Sequence, residues 1–516
     1  MQIRKPLFFI ICVIACAIAV AIGFSSRAQH TTLQPTASVT INSSNPITEN
    51  LIGLGYNSPF LGTVYSSETL TERMDRAITE SNKNGYFRVM FGLRNFAPER
   101  ETRTPNSRAM VNLYKHLDIL KKNNITVHFT FTYRESAIPD WLGGGQALLE
   151  DETRRLLAST MAEMLDHLIT VKGYDNIKYW SPTNEMAASV ENPSQHRFAV
   201  FYHGPNVEGP SRADEYQAAY LSLVEAIKEA LASRSLADKL TMGVPELGKY
   251  WPLWWAKRNF RDTPNVMFDI HHYIEMNKPW QAGNPNDPVT YPANTAESYR
   301  DPELYERLLF KYSTFAEMVK DTGKPIVAGE FGPGRAAREG NAQRYVDLGS
   351  GQYGLMVAEQ AIALLNAGFS GLAKWSIADL IGENTRYDYY HGTLALEENL
   401  NPRSDYFSYG LLTKTITHGA SILQSQSSDP NIHTLAAQNQ NNQKVVVVIN
   451  RTSEEQAVEV IWPDLEGQEA SIFAYHPEDQ VSSDYDLAPA DEMSRQGNRN
   501  YVVSLKPQQM IVLTSA

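Results

Sequence analysis

Cysteine is nearly missing from this chain. Only Cys12 and Cys16 occur in 516 residues, and both lie within the first 28. The chain beyond Ala28 therefore has no disulfide, no thiol nucleophile and no thiolate metal site. Its stability has to come from a hydrophobic core, which a chain of this length can build. Positive charge is scarce as well: 46 Lys and Arg stand against 58 Asp and Glu, a net charge of −12. That balance lacks the basic footprint of a nucleic-acid-binding protein and suits neutral or modestly charged ligands. No glycine-rich phosphate loop follows an early strand-like run, which counts against a doubly wound dinucleotide fold. No solenoid-type repeat is present either.

One long apolar run does occur, Leu7 to Phe24, preceded by Arg4 and Lys5 and followed by Ser25-Ser26-Arg27-Ala28. This is a secretory signal pattern, and its eighteen residues are also just enough to span a bilayer. Residues 1–28 are expected to be a signal peptide or a membrane anchor, with the remainder exported and any membrane contact confined to this segment. Val13-Ile14-Ala15-Cys16 superficially resembles a lipoprotein cleavage box, but the apolar run continues past Cys16. Removal of residues 1–28 takes three cations and no acid, shifting the net charge from −12 to −15.

From Leu51 to Gly410, strand-like runs alternate with helical spacing, the signature of a parallel sheet covered by helices. Eight runs stand out: Ile52–Tyr56, Phe87–Phe91, Val127–Phe131, Ile177–Trp180, Leu240–Val244, Met267–His271, Ile326–Ala328 and Gly371–Trp375. Eight β/α units in this span predict an α/β fold of the (β/α)8 TIM-barrel type over residues 51–410. After Gly410 the helical spacing stops. Lys444–Asn450, Ala470–Tyr475 and Met510–Leu513 read as short strands between polar turns, so residues 411–516 predict a smaller β-sandwich. Within residues 29–50, a leader precedes the alternating run Ser38–Asn42, an edge strand suited to joining that sandwich.

Two of the barrel runs lead to glutamates: Glu185 in Tyr179-Trp180-Ser181-Pro182-Thr183-Asn184-Glu185, and Glu330 in Pro325-Ile326-Val327-Ala328-Gly329-Glu330. Chemistry in such barrels sits at the C-terminal ends of the strands. Two carboxylates delivered there from different strands provide the acid and the base or nucleophile that glycosidic cleavage requires. A single such glutamate would more simply cap a helix or pair with a lysine. Arg88 lies inside a strand, where a charge must be paired. Asp269-Ile270-His271-His272-Tyr273 ends another strand with His271 and Tyr273 on one face; the same cluster is open to a metal-site reading. Trp375 ends the last run, as a sugar platform or a core residue. Trp251, Trp254, Trp255 and Trp280 crowd neighbouring loops, and Tyr133-Arg134-Glu135 and Glu383-Asn384 also fall at strand ends.

These motifs resemble clan A glycoside hydrolases, which include cellulases, mannanases, β-xylosidases and β-glucuronidases. The resemblance covers the barrel as a series of short motifs and extends to the trailing β-sandwich. It implies that Glu185 is the general acid/base, that Glu330 is the nucleophile, and that β-glycosides are cleaved with net retention. It further implies that Asn184 binds the sugar 2-hydroxyl, Arg88 holds the nucleophile ionised, His271 and Tyr273 form the His-x-Tyr pattern beside it, and Trp375 underlies the sugar. The expected partner is an oligo- or polysaccharide, with no nucleic acid, cofactor or metal. The alternatives are a non-catalytic polysaccharide-binding barrel and a metal-dependent barrel hydrolase.

Overall fold

The eight apolar runs close into one ring. In a computed structural model of the chain, the described residues are 34–59, 62–131, 139–142, 149–185, 213–246, 250–276, 290–291, 303–333, 350–380, 391–465, 469–479, 482–493 and 500–515. Residues 1–28, Tyr133-Arg134-Glu135, Glu383-Asn384, Trp280 and the side chain of Trp251 lie outside them. No helix among the described residues is long and apolar enough to cross a membrane.

After β1 (Ala37–Thr48), the barrel strands are β2 (Gly53–Pro59), β3 (Tyr86–Phe91), β4 (Thr126–Phe131), β5 (Ile177–Ser181), β6 (Thr241–Pro245), β7 (Val266–Met276), β8 (Ile326–Pro333) and β9 (Gly371–Lys374). Each pairs in parallel with its neighbours in chain order, and β9 pairs back onto β2. The covering helices are α1 (Glu68–Ser81), α2 (Arg108–Lys122), α3 (Asp151–Asp166), α4 (Ala213–Ala232), α5 (Tyr250–Phe260), α6 (Leu304–Lys320), α7 (Gly351–Asn366) and α8 (Ser404–Thr415), one after each strand. Serines 67, 107 and 350 cap α1, α2 and α7 by accepting backbone N–H bonds. The last helix crosses Gly410, the expected end of the barrel, and runs to Thr415.

The period of two explains how the barrel interior is layered. In β3, Phe87, Val89 and Phe91 face the core shared with the helices, leaving Tyr86, Arg88 and Met90 for the interior. In β7, Phe268, Ile270 and Ile274 face outward, while Met267, Asp269, His271 and Tyr273 alternate inward. Ile52, Tyr86, Met267, Val327 and Ala373 form an apolar floor. Met90, Trp375 and Leu380 pack together with Tyr273 at the mouth. The charged residues lie between these two apolar layers.

The sandwich comprises β1 and β10 (Ser421–Ser427), β11 (Ile432–Gln438), β12 (Lys444–Asn450), β13 (Gln456–Ile461), β14 (Ala470–Tyr475), β15 (Asp491–Met493), β16 (Tyr501–Leu505) and β17 (Met510–Ser515). Its order is β15-β14-β17-β12-β11-β10-β1-β13-β16. β1 joins the two halves, antiparallel to β10 and parallel to β13. The run Val445-Val446-Val447-Val448-Ile449 is apolar on both faces because β12 has two cores to fill. Val446 and Val448 enter the sandwich core with Val458, Val460 and Trp462. Val445, Val447 and Ile449 belong to the core shared with the barrel.

Candidate active site

Arg88 lies at the centre of the barrel mouth and is fully buried. A guanidinium there is tolerable only with acceptors on every side. Nη1 donates to Glu330 Oε1 at 2.9 Å and Asn57 Oδ1 at 3.1 Å. Nη2 donates to Asn184 Oδ1 at 2.8 Å and Glu246 Oε1 at 3.1 Å. Nε lies 3.9 Å from Asp269 Oδ2. Burial works against the Arg88 charge, but Glu246, Glu330 and Asp269 overcome it and hold the guanidinium even more firmly protonated than usual.

Glu330 reaches this position through a β-bulge. Ile270 pairs with Ala328 but His271 with Glu330, and Leu372 pairs with Ala328 but Lys374 with Phe331. Val327 faces the barrel floor and Ala328 the helices, so regular alternation would turn Glu330 toward the helices. The extra residue at Gly329 reverses the phase, and Phe331 takes the outward place. Only glycine fits at the bulge. A Cβ there would stand 2.2 Å from Asp269 Oδ1, which instead accepts the Gly329 N–H at 2.7 Å. The strand does not stop at Glu330, as the sequence suggested, but continues to Pro333.

Tyr273 donates to Glu330 Oε2 at 2.5 Å. His271 Nδ1 stands between the two carboxylates, 3.2 Å from Glu185 Oε1 and 3.5 Å from Glu330 Oε2. One carboxylate oxygen each of Glu185 and Glu330 and one ring nitrogen of His271 lie within 4.8 Å of one another. Glu185 follows β5 with φ of +51°, a left-handed conformation that non-glycine residues rarely adopt. Its side chain is 31 % exposed against 4 % for Glu330. The expected residues Glu185, Glu330, Asn184, Arg88, His271 and Tyr273 thus form one connected group. Trp375 begins just beyond β9, donates its N–H to Phe331 O at 3.0 Å and packs against Met90 and Leu380 beside Tyr273. Trp255 packs against Tyr220 and Phe260 in the core shared with the helices. Trp254 is 41 % exposed.

Among the described residues, the acids of the site outnumber its cations. Burial pushes the Glu330 carboxyl up, and the Glu185 charge adds to this, while His271, Arg88 and the Tyr273 hydroxyl oppose it. The expectation of a nucleophile held simply ionised by Arg88 is thus modified, because Arg88 is shared among several acids. Burial also raises Asp269, against the pull of His271, Arg88 and the Gly329 N–H. Burial opposes protonation of His271, but Glu330, Glu185 and Asp269 outweigh it and lift His271 to about 8. Burial, Glu330 and Glu185 raise Tyr273 well above the usual phenol range, so it remains a donor.

Asn57 and Glu246 complete the group and were missed in the sequence, and Asp269, read there only within the alternative metal cluster, joins them. For Glu246 the signal was present: Leu240-Thr241-Met242-Gly243-Val244-Pro245-Glu246 is a third apolar run ending in a glutamate. Asn57 gave no signal; it donates to Gly329 O at 2.7 Å and Ala373 O at 2.9 Å, tying β2 to β8 and β9.

Among the described residues, two triads contain possible metal ligands: His128–Glu246–Asp269 and Glu185–His271–Glu330. Both His128 nitrogens are already engaged, Nδ1 with Tyr86 at 2.8 Å and Nε2 with Ser181 at 2.7 Å. Both Glu330 oxygens accept from protein donors. These ligand sets fit a hydrogen-bonded proton network, with Arg88 and His271 supplying positive charge.

A closed parallel barrel with a C-terminal sandwich is a fold shared with solved glycoside hydrolases. Residues 419–481, within the sandwich, match the family model described as the glycosyl hydrolase family 30 beta sandwich domain. Among solved structures, a glycoside hydrolase family 30 subfamily 8 xylanase from Clostridium acetobutylicum superposes with a TM-score of 0.57 at 13% identity, over 93% of this chain and 99% of that one. The catalytic domain of the family 30 xylanase C from Talaromyces cellulolyticus gives 0.60 at 12% identity, over 93% and 100%. A family 51 arabinofuranosidase from Xanthomonas axonopodis pv. citri gives 0.60 at 12%, over 94% and 100%. At these identities the likeness is one of fold. No curated protein matches the sequence.

Proposed function

We propose that the chain is a retaining glycoside hydrolase that cleaves β-glycosidic bonds of an oligo- or polysaccharide by double displacement. The observation that carries this reading is the facing pair Glu185 and Glu330, with oxygens within 4.8 Å across His271. Retaining enzymes hold their carboxyl groups about 5–5.5 Å apart, whereas inverting enzymes leave roughly 6.5–9.5 Å for a water. The two environments also divide the roles. Glu330 is enclosed and accepts from both Arg88 and Tyr273, which favours the anion on this member of the pair. Glu185 is the more exposed member, suited to meet a leaving group and later a water.

In the first step Glu330 attacks the anomeric carbon while Glu185 protonates the departing oxygen. In the second, Glu185 removes a proton from water, which displaces Glu330 from the covalent glycosyl-enzyme. Asn184 gives its carbonyl oxygen to Arg88, leaving its amide donors for the sugar 2-hydroxyl. The family 30 model matched by the sandwich and the xylanases of like fold support a carbohydrate substrate. The apolar run Leu7 to Phe24 supports export, with the run cleaved as a signal or kept as an anchor.

The test is hydrolysis of aryl β-glycosides and a panel of polysaccharides by the wild type and Glu330→Gly. Glu330→Gly should be inert alone and partly rescued by azide, which should yield a glycosyl azide of inverted configuration. A wild type inert toward every glycoside, or a variant as active as the wild type, would reject the reading.

A further inference from the structure

A third strand-end glutamate at the mouth has no part in the two chemical steps. Glu246 follows β6, is 1 % exposed and has φ of +61°. Such a conformation in a non-glycine residue is held in place by its surroundings; here the Glu246 N–H donates to Asp269 O at 2.9 Å. Its Oε1 accepts from Arg88 Nη2, the nitrogen that also holds Asn184. Oε2 makes no hydrogen bond among the described residues. Facing it are Arg88 from β3, His128 from β4, Ser181 from β5, Asp269 and His271 from β7, and Tyr220 from α4.

We propose that Glu246 is a positioning residue for glycoside cleavage, acting through Arg88 on both Glu330 and Asn184. This rests on the glycosidase reading of the site. A guanidinium is a rigid planar fork. Asn57 anchors it on the Nη1 side and Glu246 on the Nη2 side, so one nitrogen stays aimed at the nucleophile and the other at the side chain that binds the 2-hydroxyl. Without Glu246 the fork loses its anchor beside Asn184.

The ionisation of Glu246 then sets how much of the Arg88 charge serves Glu330. Burial lifts Glu246 to about 7, with Asp269 adding to the rise against Arg88, His271 and Ser181. Below about 7 Glu246 is neutral and leaves the cation to Glu330 and Asp269. Above it, a further anion draws on the same guanidinium.

The experiment measures kcat, KM and their pH dependence for Glu246→Ala and Glu246→Gln on an aryl β-glycoside, with a melting temperature for each. Glu246→Ala should lower kcat about 10–100-fold through misplacement of the reacting groups, with KM changed less than about threefold. Glu246→Gln keeps an acceptor for Nη2 and should recover most of that loss, while removing the inflection near 7 from the kcat/KM profile. Wild-type kcat and pH profile in both variants, whatever their melting temperatures, would overturn the proposal. Equal loss in both would overturn it too, because an acceptor would then not suffice. If Glu246→Ala does not fold, an unchanged profile in Glu246→Gln is the overturning result. A wild type inert toward all glycosides defeats the functional reading and this proposal together; an active wild type with indifferent variants defeats this proposal alone.

Discussion

Two buried charge clusters use the same chemistry in opposite proportions. At the barrel mouth one guanidinium, Arg88, serves Glu330, Glu246 and Asp269. Where the barrel meets the sandwich, Glu359 of α7 faces both Arg451, at 3.3 Å, and His433, at 2.6 Å, and all three are buried. Burial pushes every one of these carboxyls toward the neutral form. At the interface Arg451 and His433 more than compensate, and Glu359 ends below the ordinary range. Among the described residues of the mouth the acids outnumber the cations, and Glu330, Glu246 and Asp269 all end above it. A cluster serving stability alone matches its charges. One that leaves carboxyls perched near neutrality retains a proton-handling capacity at a cost in stability.

The most severe way to break this contrast is Arg88→Met. Removing this guanidinium from three buried acids should cost about 3–5 kcal/mol in urea unfolding and reduce turnover to background. A loss below about 1 kcal/mol would mean that the acids are already neutral in the resting protein. Glu185→Ala should rank next. It should slow natural glycosides about 10²–10⁴-fold but spare the first step on substrates with a good phenolate leaving group. Added azide should then give product of retained configuration, since Glu330 still forms its covalent intermediate.

Glu359→Gln tests the other cluster. Removing the charge opposite Arg451 should cost about 2–3 kcal/mol of stability and leave kcat of the folded protein unchanged. Altered kinetics would show that the two clusters communicate. The mildest test is pH. A carboxyl raised in the folded state binds more protons there than when unfolded, so its group loses stability as pH climbs from about 4.5 toward 7. Glu359, depressed when folded, acts in the opposite sense: its contribution is present above about 4.5 and lost as pH falls. Glu246→Gln should therefore flatten the decline of stability between pH 4.5 and 7, by up to about 1.4 kcal/mol per pH unit. A curve parallel to the wild type would show that Glu246 does not titrate in that window.

Much of the architecture is local in origin. Eight β-branched and aromatic runs at barrel spacing, each followed by helical periodicity, determined a (β/α)8 fold. The loss of that periodicity after Gly410 determined a β domain, although the last barrel helix runs on to Thr415. Alternation alone put His271 and Tyr273 on one face, because side-chain direction in a strand depends only on residue parity. The strand-end rule located Glu185 and Glu330, and it applies equally to Glu246, where it was not followed.

Other features required the assembled barrel. Parity would have turned Glu330 toward the helices; the bulge at Gly329 turned it inward, and that bulge is fixed by Asp269, sixty residues away on β7. The sharing of Arg88 among β5, β6, β7 and β8 follows from ring closure. Both faces of Val445–Ile449 are apolar because the sandwich packs on the barrel. Periodicity is a property of neighbouring residues, so the sequence by itself determined which runs become strands. Which carboxylate faces which cation depends on distances between strands, and only the tertiary structure decided that.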